Sequence, residues 1–290
     1  PRIKPILGLP WQVKGLRSFF KNLGPIFPDL SARLVLHLFT TPKRPGKTRP
    51  LPELFHTAST FDLPFQKGKL RVYAWGIFGP RVLLVHGWES NATSFRHLIP
   101  QLLSKGYRVV AFDGPAHGKS SGRQTTFPQF SQAVETVLDY FAYSGGVSHL
   151  IGHSFGAYTS SFMLTEAKGQ FPLKKVIAIS MPTKVSMATD NLFRFLHVPS
   201  KVQRLFHQKL EALAGRKMEE YHMNERFELI NAKEVLVVHD VQDQVIPLPK
   251  RFNEPVQSEK VKCLITDGFG HYRTIKAPPV MERIVRFLGS

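Results

Sequence analysis

The pattern of apolar and polar positions changes along the chain. From about residue 56 onward, short apolar runs alternate with longer stretches that have helical spacing. RVLLVH is a continuous apolar run, which is typical of a strand buried on both faces. FPQFSQAVETVLDYFAYSGG has the spacing of a long amphipathic helix. This alternation predicts an α/β fold with a mostly parallel central sheet and helices on both faces.

Two departures from the alternation predict further elements. STFDLPF and KLRVYAW are predicted to pair as a hairpin across the turn at Gln66-Lys67-Gly68. Residues 181–232 carry helical periodicity instead, including a helix from Ser200 that stops at Gly215. We therefore predict a core formed by residues 53–180 and 233–290, with residues 181–232 inserted as a helical cap. No apolar run approaches the roughly 20 residues that a membrane-spanning helix needs.

Residues 1–52 are predicted to form a separate basic helical segment followed by a proline-rich connector. WQVKGLRSFFKNL has one apolar helical face, formed by Val13, Leu16, Phe20 and Leu23. A second helix is predicted in LSARLVLHLF. One interpretation of the first helix is contact with an anionic membrane or an acidic partner. The other is packing against the main domain with a solvated basic side, which we favour because basic amphipathic helices are a broad class.

The charge supports this division of the chain. The net charge of the 290 residues is +18, and residues 1–50 contribute +9 of it. We expect no specific nucleic-acid binding, since no recognition motif is evident and aromatic residues are not interleaved with the basic runs. The single cysteine, Cys263, excludes an intrachain disulfide and suits a reducing compartment. We expect a cytoplasmic location, with peripheral contact to an anionic membrane through residues 1–50 as the alternative. The sequence does not determine the oligomeric state.

Candidate chemistry lies after predicted strands. Ser154 stands between Gly152 and Gly156 at a strand-to-helix turn, and glycines permit so tight a bend. A serine hydroxyl is a poor nucleophile at neutral pH and needs an adjacent base, most often histidine. His271 follows the last predicted strand in a glycine-flanked loop. A carboxylate would fix the tautomer of that histidine. Two aspartates follow the preceding strand, Asp240 and Asp243, and their residue type alone does not choose between them.

Four motifs resemble those of the α/β-hydrolase superfamily, whose members carry Ser, Asp and His in this chain order. VLLVHGWESNATSF is similar to the family's His-Gly oxyanion turn. AFDGPAHGKSSG resembles its D-x-x-G-x-G-x-S turn, with Ala116 where glycine is commoner. HDVQDQVIP resembles the acid loop, and GFGHYR the histidine loop. The resemblance covers about residues 56–290.

The resemblance implies a role for each site residue. Ser154 would be the nucleophile, His271 the base and Asp243, in preference to Asp240, the acid. The backbone N–H groups of Trp88 and Phe155 would form the oxyanion hole. A carboxylate nucleophile, as in epoxide hydrolysis, is excluded because position 154 is serine. No metal site is indicated, since the histidines do not fall into ligand spacing.

The sequence therefore predicts a serine hydrolase that cleaves a small-molecule carboxylic ester through an acyl-enzyme, without a cofactor. Three alternatives stay open, namely a thioesterase, a lipid hydrolase at a membrane surface, and a catalytically weak ligand-binding protein of the same fold. Four apolar residues of the cap are candidates for the substrate pocket: Phe193, Phe195, Leu205 and Phe206. The same residues could instead form the packing face of the cap.

Overall fold

The protein consists of two compact units. The computed structural model describes residues 11–44, 50–167, 169–223, 226–249, 252 and 258–290. The first of the two units, called here the helical unit, comprises Pro1–Thr40 and Val185–Glu220. The second, called here the sheet unit, comprises Thr41–Lys184 and Tyr221–Ser290. The predicted connector at residues 42–52 lies partly outside the described residues.

The sheet unit is built on an eight-stranded sheet with the order β1-β2-β4-β3-β5-β6-β7-β8. The strands are β1 (Ser59–Phe65), β2 (Gly68–Trp75), β3 (Arg81–Val85), β4 (Arg108–Phe112), β5 (His149–His153), β6 (Leu173–Ile179), β7 (Ala232–Asp240) and β8 (Val261–Thr266). β2 pairs antiparallel with β1 and with β4, and the other pairs are parallel. The predicted α/β architecture with a mostly parallel sheet is confirmed.

The helices of the described residues occur in both units. They are α1 (Trp11–Asn22), α2 (Pro28–Thr40), α3 (Ile99–Ser104), α4 (Phe127–Ala142), α5 (Phe155–Glu166), α6 (Ser186–Leu196), α7 (Ser200–Ala214), α8 (Gly270–Arg273) and α9 (Pro278–Gly289). Gly215 ends α7 with a φ of 72°, a left-handed conformation that glycine adopts without strain. None of the helices in the described part of the chain combines the length and hydrophobicity that crossing a bilayer requires.

The strand order places a topological switch between β3 and β5. The chain leaves β3 toward β4 on one side of the sheet, and it leaves β5 toward β6 on the other side. Connections that diverge in this way open a crevice at the carboxyl ends of the two strands. The residues that follow β3 and β5 are therefore brought together at this edge.

Continuous apolar strands anchor that edge. All five residues of β3 are buried, and so are all five residues of β5. Leu84 of β3 and Ile151 of β5 belong to a buried cluster that also includes Val238 of β7 and Ile284 of α9. Side chains buried on both faces fix the strand ends, so the loops that carry polar residues project from a rigid support.

The helical unit has a hydrophobic core of its own. Residues from both of its chain segments share one buried cluster: Phe20, Ala32, Val35, Phe193, Leu196, Val198, Val202, Phe206 and Leu210. The ring of Phe206 makes edge-to-face contacts with Phe39 and Phe193, at centroid distances of 5.5 and 5.2 Å. The sequence pattern predicted residues 1–52 and 181–232 as separate segments. The structure groups residues 11–40 with residues 185–220, because the apolar faces of their helices cover one another.

Two phenylalanines of the helical unit allow a matched test of this core. Phe206 is fully buried, whereas Phe195 is 44% exposed with the guanidinium of Arg17 over its ring. We expect Phe206→Ala to lower the free energy of unfolding by about 3–5 kcal/mol, through lost burial and the cavity left behind. Phe195→Ala should cost about 1 kcal/mol or less. Urea unfolding followed by circular dichroism measures both, and equal losses would contradict the assignment of this core.

Candidate active site

Ser154 stands on a strained turn between β5 and α5. Its φ is 53° and its ψ −121°, a conformation that L-residues rarely adopt. The flanking glycines are required by close backbone approach. A Cβ on Gly152 would lie 2.4 Å from the Cα of Ala157, and one on Gly156 would lie 2.2 Å from the carbonyl oxygen of His86. The Ser154 amide donates to the carbonyl of Ile179 at 2.8 Å, which ties the turn to the end of β6.

Ser154, His271 and Asp243 lie in one hydrogen-bonded line. His271 Nδ1 is 2.7 Å from Asp243 Oδ2, and His271 Nε2 is 2.9 Å from Ser154 Oγ. A carboxylate only accepts hydrogen bonds, so Nδ1 carries the proton and Nε2 of the neutral ring is an acceptor. The serine hydroxyl therefore donates to Nε2. This direction of donation is what proton removal from the hydroxyl requires.

The two candidate aspartates have different partners. Asp243 uses Oδ1 to accept from the amides of Val245 and Ile246, which leaves Oδ2 for the histidine. Asp240 does not contact the His271 ring in the described structure. Its carboxylate accepts four hydrogen bonds, from the amides of Gln242, Phe269 and Gly270 and from the hydroxyl of Thr266.

The Asp240 carboxylate fixes the position of the histidine loop. Burial by itself raises the pKa of Asp240, but the hydrogen bonds to the ionised form outweigh burial, and the pKa is lowered. The amides of Phe269 and Gly270, directly before His271, are held by this carboxylate, and they lead into the one-turn helix α8. The sequence pattern predicted a loop at His271, since a helix of four residues is too short for a periodic signal.

Two backbone amides near Ser154 are candidate oxyanion donors. Among the described residues, neither the Phe155 nor the Trp88 amide has a hydrogen-bond acceptor. Phe155 begins α5, so its N–H points out of a helix N-terminus, where negative charge is favoured. Trp88 follows Gly87, whose absent side chain allows close approach, because a Cβ there would lie 3.1 Å from the Cβ of Ser154. The Trp88 and Phe155 rings are in edge-to-face contact at 5.3 Å.

Two buried histidines connect the turns that follow β3 and β4. His86 Nε2 accepts from the Gly114 amide at 2.8 Å. His117 Nε2 accepts from the Glu89 amide at 3.1 Å, one residue after Trp88. Their Nδ1 atoms lie 2.7–2.8 Å from backbone carbonyls, so the rings are neutral and donate there. Both histidines lie in motifs visible in the sequence, HGW and AHGKS, but these hydrogen bonds between the two turns were not predicted.

The turn after β4 is organised around a buried carboxylate. Asp113 Oδ1 accepts from the Ala92 amide, and its Oδ2 accepts from the Lys119 amide. A Cβ on Gly118 would lie 2.2 Å from that carboxylate, so glycine is required there. Ala116, at the position where glycine is commoner, has a φ of 63° and is buried. The positive φ explains the usual preference for glycine.

The four proposed substrate contacts lie in the helical unit, and they stay a prediction. Phe193 and Phe206 are buried in its core, and Leu205 packs against that core. This is the packing role that the sequence left open. Phe195 is the member of the set that is substantially exposed. Within the described ranges, no group of three or more His, Cys, Asp or Glu side chains is arranged to bind a metal ion.

The comparison with protein families identifies the class. A family model described as the alpha/beta hydrolase fold matches residues 80–260, which is more than half of the chain. The match includes the turns after β3, β4 and β5 and the loop that carries Asp243. The chain therefore belongs to the α/β-hydrolase fold family.

Curated relatives resemble part of the chain. A serine hydrolase-like protein of Danio rerio is 38% identical over 104 residues, which are 34% of this chain and 31% of the relative. A human protein of the same description is 38% identical over 106 residues, covering 34% and 49%. Epoxide hydrolase B of Mycobacterium tuberculosis is 37% identical over 83 residues, covering 27% and 23%. The aligned region thus spans less than half the length of each of these relatives.

Solved structures resemble the chain over most of its length. An esterase of Pyrococcus furiosus has a TM-score of 0.63 at 22% identity and covers 86% of this chain and 97% of its own. A thioesterase domain from the curacin biosynthetic pathway has a TM-score of 0.59 at 18% identity, covering 81% and 100%. At these identities the likeness shows the fold alone.

The buried histidines predict a loss of stability in mild acid. Burial lowers the pKa to about 4 for His86 and His149 and to about 3 for His117 and His153. The unfolded chain titrates near pH 6.5, so below that pH it binds more protons than the folded protein. Each such histidine then removes about 1.4 kcal/mol of stability per pH unit as the pH falls toward its folded pKa. Asp113, whose pKa is raised by burial, acts in the opposite direction.

The free energy of unfolding should therefore decrease from pH 7 to pH 5 in urea titrations. His149→Gln should make that decrease shallower by about 1.4 kcal/mol per pH unit below pH 6, because one titrating group is removed. The exposed His56 provides a matched control, and His56→Gln should leave the slope unchanged. Stability that stayed constant on acidification would contradict the neutral, buried state of these rings.

Proposed function

We propose that the protein is a serine hydrolase that cleaves carboxylic esters through an acyl-enzyme intermediate. The observation that carries the proposal is the hydrogen-bonded line from Asp243 through His271 to Ser154, with distances of 2.7 and 2.9 Å. A nucleophile, a base and an orienting carboxylate in this arrangement form the constellation that activates a serine hydroxyl.

Acylation begins when Ser154 Oγ attacks the ester carbonyl carbon. The hydroxyl proton passes to His271 Nε2, and the Asp243 carboxylate stabilises the imidazolium that results. Negative charge develops on the carbonyl oxygen, and the amides of Phe155 and Trp88 would donate to it. Collapse of the tetrahedral intermediate breaks the bond to the alcohol oxygen, which leaves with the proton from His271.

Deacylation repeats the sequence with water. His271 Nε2 takes a proton from the water as its oxygen attacks the acyl carbon. The second tetrahedral intermediate then breaks its bond to Ser154 Oγ and releases the carboxylic acid, and His271 returns the proton to Ser154 Oγ. The chain's own residues supply every proton transfer in this scheme.

Epoxide hydrolysis is a weaker candidate, although Epoxide hydrolase B of Mycobacterium tuberculosis resembles part of the chain. Opening an epoxide through a covalent intermediate would require a carboxylate at position 154, where this chain has serine.

Cleavage of thioesters is a second candidate with support, since a thioesterase domain shares the fold. The nucleophile and base would be the same, and only the leaving group would differ. Measuring kcat/KM for an ester and a thioester with the same acyl chain shows which of the two bonds the protein cleaves more efficiently.

Hydrolysis of p-nitrophenyl esters tests the proposal. The wild-type protein should release p-nitrophenol with turnover, and a series of acyl lengths would define the acyl site. Ser154→Ala should lower kcat/KM by about 10⁴-fold or more. Asp243→Asn should lower it by about 10³- to 10⁴-fold, because the tautomer of His271 is no longer fixed.

Asp267→Asn is the matched control for the aspartate variant. Asp267 is exposed in the same histidine loop and bonds to the Gln242 side chain, not to His271. It should keep kcat/KM within two-fold of the wild type. Turnover that survives Ser154→Ala would refute the proposed nucleophile. A folded wild-type protein without turnover on any ester or thioester would favour the ligand-binding alternative.

A further inference from the structure

The turn between α1 and α2 exposes a cluster of large apolar side chains. Leu23, Ile26, Phe27 and Leu30, called here the apolar tip, are each between 42% and 64% exposed. They fall within the eight consecutive residues 23–30, LGPIFPDL. Single exposed apolar residues are common on protein surfaces and need no explanation, whereas a contiguous group marks a contact surface.

The backbone of the tip is fixed by hydrogen bonds. The amides of Leu23 and Gly24 both donate to the carbonyl of Phe19, and the amide of Phe27 donates to the carbonyl of Leu23. A Cβ on Gly24 would lie 2.3 Å from the carbonyl oxygen of Phe20, so the turn requires glycine. Phe20 itself is buried in the core of the helical unit. The outward direction of the apolar side chains is therefore built into the turn.

The helix that leads into the tip is basic. α1 carries Lys14, Arg17 and Lys21 and has no acidic residue. The acidic residue within the tip, Asp29, forms ion pairs with Arg33 at 2.8 Å and with Lys209 of α7 at 2.6 Å. Two cations are therefore paired with this one carboxylate, and the charges of α1, Asp29, Arg33 and Lys209 together are positive.

We propose that the apolar tip inserts into the interfacial layer of an anionic lipid bilayer, with the basic side chains beside it near the lipid headgroups. Apolar insertion and attraction of basic residues to anionic lipids are two signals that together give stable peripheral binding. A second copy of this chain is a poorer occupant, because two positive surfaces would repel. Nucleic acid would leave the apolar side chains without a partner. The proposal does not depend on the hydrolase activity.

Flotation of the full chain with vesicles tests this surface. Vesicles of phosphatidylcholine with 30 mol% phosphatidylserine are compared with pure phosphatidylcholine, at about 50 mM and 500 mM NaCl. We expect binding to the anionic vesicles that weakens at high salt, as the charges become screened. The double substitution Ile26→Ser with Phe27→Ser should weaken binding by about ten-fold or more, since two inserting side chains are lost.

The loop between β2 and β3 supplies a matched control. Ile77 and Phe78 are also adjacent and exposed, at 79% and 85%, but lie in the sheet unit. Ile77→Ser with Phe78→Ser should bind anionic vesicles like the wild type. Lys14→Gln with Lys21→Gln should weaken binding at low salt by roughly 30-fold, which corresponds to about 1 kcal/mol for each basic residue removed. All variants should keep the wild-type circular dichroism spectrum, because the substituted side chains are exposed.

Three outcomes would overturn the proposal. The first is a wild-type protein that does not bind anionic vesicles. The second is binding that the lysine variant weakens but the tip variant does not, which would mean purely electrostatic attachment. The third is a wild-type dimer, detected by light scattering, that the tip variant dissociates while vesicle binding is unchanged. That result would assign the tip to a second copy of the chain. Loss of vesicle binding in the tip variant with unchanged ester hydrolysis would support the proposal.

Discussion

The close approach of two strand ends is the constraint on which the site depends. Gly156 lies so near the carbonyl of His86 that any side chain would collide with backbone. This contact lets the turn after β5 pass directly beside the turn after β3. Ser154 is thereby held in its strained conformation, and the amides of Phe155 and Trp88 are brought to its vicinity. Rigid, buried strands on either side keep the strain from relaxing.

The polar groups around this contact divide into those that face the serine and those that hold the loops. Asp243 is hydrogen-bonded to the histidine ring, whereas Asp240, three residues earlier, is hydrogen-bonded to the backbone that carries the ring. His153 also contacts this backbone, because its Nε2 lies within hydrogen-bond distance, 3.1 Å, of the carbonyl oxygen of His271. Each is buried and hydrogen-bonded, as polar groups in an interior must be. The same burial that keeps the histidines neutral makes the fold sensitive to acid.

Local patterns in the sequence predicted much of this architecture. Contacts between segments that are distant in the chain were harder to infer. The helix that stops at Gly215 and the hairpin across Gln66 follow from residue types at fixed spacing. Spacing could not choose between two aspartates after one strand, and a family resemblance supplied that choice. The shared core of residues 11–40 and 185–220 also escaped prediction, because an amphipathic face indicates that a partner exists but not which segment provides it.

Labelling by a fluorophosphonate, with the modified residue mapped by mass spectrometry, tests the central claim most directly. An activated serine attacks the phosphorus and displaces fluoride, whereas an ordinary hydroxyl does not react at a useful rate. We expect one adduct per chain, on Ser154, in the folded wild-type protein, and none in the Ser154→Ala variant or after heat denaturation. A folded wild-type protein that stays unlabelled, or an adduct on another residue that persists in Ser154→Ala, would contradict it.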